Sequence, residues 1–487
     1  MKNKKNSKIW LILSSISALT AILPLAAISC DHKVKQNSKE NKEDSKPDQN
    51  KPEPKPENPT KEDDSSNLNK SFKFELTKSN TWKIAKYIGN DSKVTIPKEY
   101  QGKNITEIGN RAFFNSVIQS VTIAGSVKEI GESAFSGCRN IKKVILNEGL
   151  EKIGAEAFKY TNIKSITIPG TVKEIGESAF SGCTNLKEVI LNEGIEKIGA
   201  KAFQHKNIES ITIPGSVKEI GESAFFGCTN LEEVILNEGL EKIGAGAFYR
   251  TKIEYVIIPR SVKEIDKSTF SGCENLKEVF LNEGLEKIGA KAFSSTKIKS
   301  ITIPGSVKEI GESTFSGCKN LEEVILNEGL EKIGAGAFSS AKIKSITIPG
   351  TVKEIDKSTF SGCGIDEVIL NEGLEKIGAE TFYHTNIGSI TIPGSVKEIG
   401  ESAFFGCKNL KEVILNEGLE KIGAKAFGYT NIIKSITIPG TVKEIGESAF
   451  SGCEWLNEVI YKGDASNIDW RHIGIDITKI KTISSNN

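Results

Sequence analysis

The sequence predicts a repeat solenoid of about 16–17 coils, with one short parallel β-strand in each coil of 22–23 residues. First, the motif Val-Lys-Glu-Ile occurs eight times between Val127 and Val442, mostly at intervals of 45 residues. Second, each unit divides into related halves of 23 and 22 residues, as in VKEIGESAFSGCTNLKEVILNEG followed by IEKIGAKAFQHKNIESITIPGS. Third, each half contains alternating apolar residues, which are typical of a strand with one buried face. Because one coil cannot cover its own apolar side, neighbouring coils must share a core.

The strands are expected in the second part of each half, where Val or Ile alternates with exposed residues. This pattern places sixteen regular strands, the first centred on Val121 and the last on Val459, with a further strand at Val94 to Ile96. One interval of 44 residues and one of 46 come from a deletion in SGCGIDEV and an insertion in TNIIKSI. Both length changes precede a strand, in a connection that can absorb them.

The flanking segments are predicted to cap this stack. Residues 127–461 form the regular solenoid, residues 71–126 form the N-terminal capping coils, and residues 462–487 form the C-terminal cap and tail. Terminal coils are expected to be atypical because one of their faces meets water instead of another coil.

The motif VKEIGESAFSGCTNLKEVIL resembles the BspA-like leucine-rich repeats of bacterial surface proteins, over about Ile84 to Tyr461. The resemblance rests on the run Ile-Gly-x-x-Ala-Phe-x-x-Cys, which recurs eight times with Thr for Ala in three copies and Asp for Gly at Asp266 and Asp356. It implies a leucine-rich-repeat solenoid that is displayed at the cell surface. It also implies adhesion, through binding of a host or extracellular-matrix protein.

The N-terminal residues have the order of an export signal. A lysine-rich start precedes an apolar run from Ile9 to Ile28, and small residues then lead into Cys30. This ending resembles the lipobox of bacterial lipoproteins, which implies that residues 1–29 are cleaved and that Cys30 is acylated. Lipid chains on Cys30 would hold the protein on the outer face of the cell membrane, exposed to the exterior. The alternative is a plain secretory signal, or an uncleaved anchor with an incidental cysteine.

Residues 30–70 are predicted to be an acylated cysteine followed by a disordered tether. The segment is rich in Lys, Glu and Pro and has no aromatic residue. Such a composition cannot bury enough apolar surface to offset the entropy lost on ordering. Its expected role is to hold the solenoid away from the bilayer.

The other eight cysteines are predicted to be buried and unpaired, one in each 45-residue unit. Successive cysteines, such as Cys183 and Cys228, lie two coils apart, or about 10 Å at the usual strand spacing. A disulfide needs Cα atoms about 4.4–6.8 Å apart. Charged residues alternate in a related way, so that Lys173 should lie over Glu196 and Glu174 over Lys197. Such cross-strand pairs favour one register over its alternatives.

One part of the outward strand surface departs from the repeat. Tyr255 replaces Ser, Ile257 replaces Thr, Arg260 replaces Gly and Phe280 replaces Ile on two adjacent coils. Aromatic residues and Arg are enriched at the centres of protein interfaces, so these four residues form the candidate binding patch. Sequence drift in a duplicated array would produce the same substitutions without a binding role.

No enzyme motif, cofactor or metal site is predicted. The four histidines do not recur in the repeat, and none has a nucleophile or carboxylate at the spacing that catalysis or zinc binding needs. The formal net charge of +1 provides no basic surface for nucleic acid. Two alternatives to adhesion remain open: a surface antigen or shield of variable repeat number, and ligand capture for a transporter.

Overall fold

The computed structural model describes residues 65–432, 434–464 and 468–482. The predicted signal, Cys30 and residues 30–64 of the predicted tether lie outside the described residues. Helix α1 spans Ser65–Ser71, so the last residues assigned to the tether are helical. Leu68 packs against the core, and Asn69 accepts a hydrogen bond from the Tyr100 hydroxyl at 2.9 Å. These two contacts hold the helix against the solenoid.

Nearly all of the remaining regular structure is β-strand. In chain order the strands are β1 Phe72–Leu76, β2 Trp82–Tyr87, β3 Lys93–Thr95, β4 Glu99–Tyr100, β5 Lys103–Ile108, β6 Ser120–Ile123, β7 Glu129–Ile130, β8 Lys143–Leu146, β9 Lys152–Ile153, β10 Ser165–Ile168, β11 Glu174–Ile175, β12 Glu188–Leu191, β13 Lys197–Ile198, β14 Ser210–Ile213, β15 Glu219–Ile220, β16 Glu233–Leu236, β17 Lys242–Ile243, β18 Tyr255–Ile257, β19 Glu264–Ile265, β20 Glu278–Phe280, β21 Lys287–Ile288, β22 Ser300–Ile303, β23 Glu309–Ile310, β24 Glu323–Leu326, β25 Lys332–Ile333, β26 Ser345–Ile348, β27 Glu354–Ile355, β28 Glu367–Leu370, β29 Lys376–Ile377, β30 Ser389–Ile392, β31 Glu398–Ile399, β32 Glu412–Leu415, β33 Lys421–Ile422, β34 Lys434–Ile438, β35 Glu444–Ile445, β36 Leu456–Tyr461 and β37 Ile480–Thr482. A 3-10 helix at Ile477–Lys479 precedes the last strand.

The strands form two parallel ladders, which confirms the predicted solenoid. The sixteen expected strands are the even-numbered strands from β6 to β36. Neighbouring strands of this series form parallel pairs, as β10 does with β12. Each coil also has a second strand of two residues at the Lys-Glu-Ile or Glu-Lys-Ile motif, which the sequence did not reveal. These short strands form a second ladder, in which Glu174 lies beside Lys197 and Ile175 beside Ile198.

The core is a stack of identical layers. Sixteen phenylalanines, from Phe113 to Phe450, follow one another along the solenoid, and from Phe135 onwards neighbouring ring centroids lie 5.2–5.6 Å apart. This spacing suits offset stacking of aromatic rings. The inward Ile, Val and Leu residues of both ladders surround the phenylalanine stack and are almost fully buried.

The Asn-Glu-Gly turn shows why glycine recurs in every unit. Gly194 has a φ of +116°, and a Cβ atom there would lie 1.9 Å from the Gly170 carbonyl oxygen of the preceding coil. Glu193 accepts hydrogen bonds from the backbone N–H groups of Gly215 and Ser216, at 3.1 and 3.0 Å. The turn carboxylates therefore stabilise the stacking of neighbouring coils.

Irregular segments cover both ends of the core. At the N-terminal end, β1 and β2 pair antiparallel, and the rings of Phe72 and Tyr87 pack against Phe113. At the C-terminal end, Trp470 is buried and packs against Tyr461 with ring centroids 5.6 Å apart. These aromatic residues keep the first and last layers of the core from contact with water.

Candidate functional site

The outward side of the four-residue strands, which we call the sheet face, is built from alternating side chains. In one coil it carries Ser and Thr, as at Ser210 and Thr212, and in the next it carries Glu and Ile, as at Glu233 and Ile235. The isoleucines are unusually exposed for large apolar residues, with 42% of Ile235 and 45% of Ile325 accessible to solvent. The sheet face therefore offers a regular row of apolar contacts.

This regular pattern changes at β18 and β20. Tyr255 lies beside Glu278, and Ile257 lies beside Phe280, so the structure brings Tyr255, Ile257 and Phe280 together on adjacent strands. All three side chains are half-buried. We call these three residues the Tyr255 patch. It concentrates aromatic and branched side chains where most coil pairs present Ser, Thr and Ile.

The phenol of Tyr255 has one polar partner. Its hydroxyl donates a hydrogen bond to Glu233 Oε1 at 3.4 Å, across to the preceding coil. Partial burial, reinforced by the nearby Glu233 carboxylate, raises the pKa of Tyr255 above its usual value. The phenol is therefore neutral at physiological pH and keeps its hydrogen to donate.

Arg260 lies outside the Tyr255 patch. It follows β18 in the turn after Pro259, and its backbone N–H donates to Glu238 Oε1 at 3.1 Å. The backbone N–H of Gly215 makes the same bond to Glu193 two coils earlier. The Arg260 side chain is exposed, and the residue follows the end of the strand that carries Tyr255 and Ile257.

The predicted charge pairs occur along the two-residue strands. Lys173 Nζ lies 3.1 Å from Glu196, as expected, and Lys128 lies 2.9 Å from Glu151. Glu174 lies beside Lys197 in the ladder, but Lys197 Nζ approaches Glu219 of the following coil, at 3.6 Å. These side chains are between about a third and three fifths exposed, so each pair contributes little to stability and mainly favours one register.

The eight repeat cysteines are free and buried. In a typical coil, Cys183 Sγ donates to the Phe158 carbonyl oxygen at 3.0 Å and lies 3.1 Å from the Thr161 hydroxyl. Burial raises the thiol pKa, to about 12 for Cys138 and about 11 for Cys273. A thiol that stays protonated is a poor nucleophile and a poor metal ligand.

One buried lysine was not predicted from the sequence. Lys206 occupies the position that Thr161, Thr251 and Thr296 hold in other coils, and only 1% of it is exposed. Its Nζ donates to the Gln204 carbonyl oxygen at 2.7 Å, and burial lowers its pKa below 10.5. A comparison of the aligned units shows the Thr-to-Lys exchange, but only the structure shows that the amine stays inside.

In some coils an aromatic residue also occupies the position directly after the core phenylalanine. Phe226 stacks on Tyr249 with centroids 5.0 Å apart, and Tyr383 stacks on Phe405 at 5.5 Å. The available signal was the sequence AFFGC, which occurs twice. These pairs lie away from the sheet face and are separated by five coils that carry Ser at the same position.

Within the described residues, no group of three or more His, Cys, Asp or Glu residues is arranged to hold a metal ion. No helix in this part of the chain is both long enough and apolar enough to cross a membrane.

Comparison with known proteins identifies the repeat. The model of the BspA type leucine rich repeat region matches in six copies, over residues 88–172, 151–273, 241–366, 331–457 and 375–484. A comparison with curated protein sequences found no match. Leucine-rich-repeat solenoids are in general protein-binding scaffolds.

Three solved structures of bacterial proteins are similar in sequence to this chain. A leucine-rich repeat protein from Bacteroides ovatus is 28% identical, with a TM-score of 0.62, over 85% of this chain and 98% of that one. A leucine rich cell surface protein from Faecalibacterium prausnitzii is 27% identical, with a TM-score of 0.41, over 83% and 96% of the two chains. The pneumococcal vaccine antigen PcpA is 26% identical, with a TM-score of 0.43, over 72% and 96%. The family model covers well over half of the sequence, and the chain therefore belongs to the BspA type leucine rich repeat family.

Proposed function

We propose that the protein is a lipid-anchored surface rod that binds a host or extracellular-matrix protein through the Tyr255 patch. The observation that carries this proposal is the placement of Tyr255, Ile257 and Phe280 together on the sheet face. Half-buried aromatic side chains with little freedom left to lose are the usual centre of a protein interface. The family's solenoid architecture supports a binding role and gives no support to catalysis.

The anchoring part of the proposal rests on the N-terminal sequence. An apolar run that ends in small residues and Cys30 supports export and acylation of this cysteine. Cys30→Ala should abolish incorporation of radiolabelled fatty acid and leave the uncleaved precursor. Cys183→Ala is the matched control, because that cysteine is buried in the solenoid and should not affect labelling. Retained labelling of the Cys30→Ala protein would refute the anchor.

The binding part is tested by restoring the repeat sequence. The triple variant Tyr255→Ser, Ile257→Thr and Phe280→Ile converts the patch to the residues of the other coils, so the fold should be kept. We expect the wild-type protein to retain a partner from a host-matrix extract and the triple variant to lose most of that binding. The control variant carries Ser345→Tyr, which leaves the patch intact. Equal retention by wild type and triple variant would refute the patch as the binding site.

A surface antigen or shield would behave differently in the same assay. It would retain no saturable partner with either chain, and its repeat number would vary among isolates. Ligand capture for a transporter would instead depend on a small molecule. No specific contact in the described residues favours either alternative over protein binding.

A further inference from the structure

Two sets of acidic residues lie along the two ladders of the solenoid. Most of those at the Lys-Glu-Ile and Glu-Lys-Ile motifs form ion pairs with lysines, as Glu196 does with Lys173 at 3.1 Å. On the sheet face Glu458 pairs with Lys481 near the C-terminal end, but within the described residues no ion pair involves the other glutamates of this face, which are Glu188, Glu233, Glu278, Glu323, Glu367 and Glu412. The solenoid therefore neutralises most of one ladder internally and leaves negative charge on the face that carries the patch.

Further glutamates lie next to the Tyr255 patch. Three consecutive coils carry Glu immediately before the strand, at Glu209, Glu232 and Glu254. Their backbones are stacked, because Glu232 N–H donates to the Glu209 carbonyl at 2.9 Å and Glu254 N–H to the Glu232 carbonyl at 3.3 Å. We call these three residues the acidic run. Lys277 ends it in the next coil, and its N–H donates to the Glu254 carbonyl.

The acidic run places like charges on adjacent coils. Like charges on adjacent strands repel, typically by a few tenths of a kcal/mol to about 1 kcal/mol per pair. The same row contains Lys299 and Lys344 on either side of Glu322, so the repeat also accepts lysine at this position. Three glutamates in succession, with Glu233 and Glu278 beside them, form a surface whose charge is complementary to a cationic partner.

The patch provides the second half of such a site. An aromatic ring attracts a Lys or Arg head group through its negative face, and nearby carboxylates strengthen this attraction. The apolar stem of such a side chain can at the same time cover Ile257 and Phe280. Along the chain, Tyr255 lies between Glu254 of the acidic run and Ile257, which belongs to a row of apolar side chains on the sheet face. An extended chain bound over Tyr255 therefore faces both the acidic run and the apolar row.

We propose that the partner segment bound at the Tyr255 patch is an extended basic strand in which Lys or Arg alternates with apolar residues. In an extended chain, successive side chains point to opposite sides. The basic side chains would contact the acidic run, Glu233 and Glu278, and the apolar side chains would contact Ile257 and Phe280. This inference rests on the proposed function, since it specifies the chemistry of the same binding surface.

The test uses the full chain and three labelled peptides of equal length in fluorescence anisotropy at low and high salt. One peptide alternates Lys with Val, one alternates Glu with Val, and one alternates Lys with Ser. We expect the Lys-Val peptide to bind most tightly, the Glu-Val peptide not to bind, and the Lys-Ser peptide to bind at least about tenfold more weakly. Binding of the Lys-Val peptide should weaken as salt screens the carboxylates.

Two charge variants locate the site. Glu209→Lys with Glu254→Lys should lower affinity for the Lys-Val peptide by at least about tenfold. The matched control, Glu322→Lys with Asp366→Lys, changes the same number of charges in the same row but away from the patch, and should leave the affinity nearly unchanged. Tight binding of the Glu-Val peptide, equal binding of the Lys-Ser peptide, or equal weakening by both variants would overturn the inference.

The same variants separate this inference from the proposed function. If the partner retained by the wild-type chain is lost with the triple patch variant but kept with Glu209→Lys and Glu254→Lys, the patch binds a partner of other chemistry. If that partner is kept with both variants, the proposed function itself fails.

Discussion

Lys206 is predicted to be a weak point of the solenoid, and Lys206→Thr should stabilise it. Two more buried carbon atoms favour Lys by about 1.6 kcal/mol. Against this, ordering the Lys side chain costs about 1.5–2 kcal/mol. The amine has a single hydrogen bond within the described residues, so unmet donors cost about 1–3 kcal/mol. Thr would also gain a hydroxyl bond of about 1 kcal/mol, like the bond from Thr251 to the Phe248 carbonyl at 3.0 Å. The balance favours Thr by about 2–4 kcal/mol.

The effect should depend on pH in a defined direction. Burial lowers the pKa of Lys206 in the folded chain below the 10.5 of the unfolded chain. The unfolded state therefore binds more protons between the lowered pKa and 10.5, and wild-type stability rises with pH in that window. The advantage of Lys206→Thr over wild type should be largest at neutral pH and should shrink as the pH approaches 10.5.

Amide hydrogen exchange measures this effect coil by coil, which suits a solenoid whose coils open separately. Lys206→Thr should slow exchange in the coils around Phe203 and Cys228 by about thirty- to a thousandfold, and should leave distant coils unchanged. The mirror variant Thr296→Lys should speed exchange around Cys318, whose thiol lies 3.2 Å from the Thr296 hydroxyl. Unchanged or faster exchange in Lys206→Thr would refute the reasoning.

Three further predictions follow from the turns, thiols and surface pairs. Gly194→Ala should destabilise the chain by at least about 2 kcal/mol in thermal or denaturant unfolding, because its φ is positive and the Gly170 carbonyl blocks a Cβ. Gly388→Ala, with nothing within 4 Å, is its control and should be nearly neutral. Above pH 9 the thiols ionise in the unfolded chain, whereas buried thiols such as Cys273, with a pKa of about 11, stay protonated in the folded chain. The free energy of unfolding should therefore fall by up to about 1.4 kcal/mol per thiol for each pH unit. Replacing all eight repeat cysteines by Ala should remove this slope. Lys173→Ala should change the free energy of unfolding by less than about 1 kcal/mol, since its ion pair with Glu196 is exposed; a larger loss would mean that the charge ladder stabilises the fold directly.

Periodicity predicted the parts of the fold that every unit repeats. The sixteen strands, the buried cysteines and the pair of Lys173 with Glu196 all follow from register, since stacking places equivalent positions on top of one another. The two-residue strands escaped because two residues, such as Glu174 and Ile175, are too short to show an alternating pattern.

The features that the sequence did not predict depend on single residues. The sequence shows Arg260 as a substitution in the repeat, but only the structure shows that β18 ends before it. Helix α1 forms because Leu68 finds a place on the core, which composition cannot show. The sequence shows the acidic run as three separate glutamates, and the structure shows that they lie in adjacent, stacked coils.

The central claim, that a partner protein binds the sheet face at the Tyr255 patch, is tested most directly by site-specific photo-crosslinking. A photoreactive phenylalanine is placed at Phe280, at Ile369 on the same face of distant coils, and at Tyr160, which is 53% exposed on another edge. After exposure to a host-matrix extract, we predict a covalent adduct of one defined mass from position 280 and none from positions 369 and 160. An adduct from position 160, or none from position 280 while the chain still retains its partner, would contradict the claim.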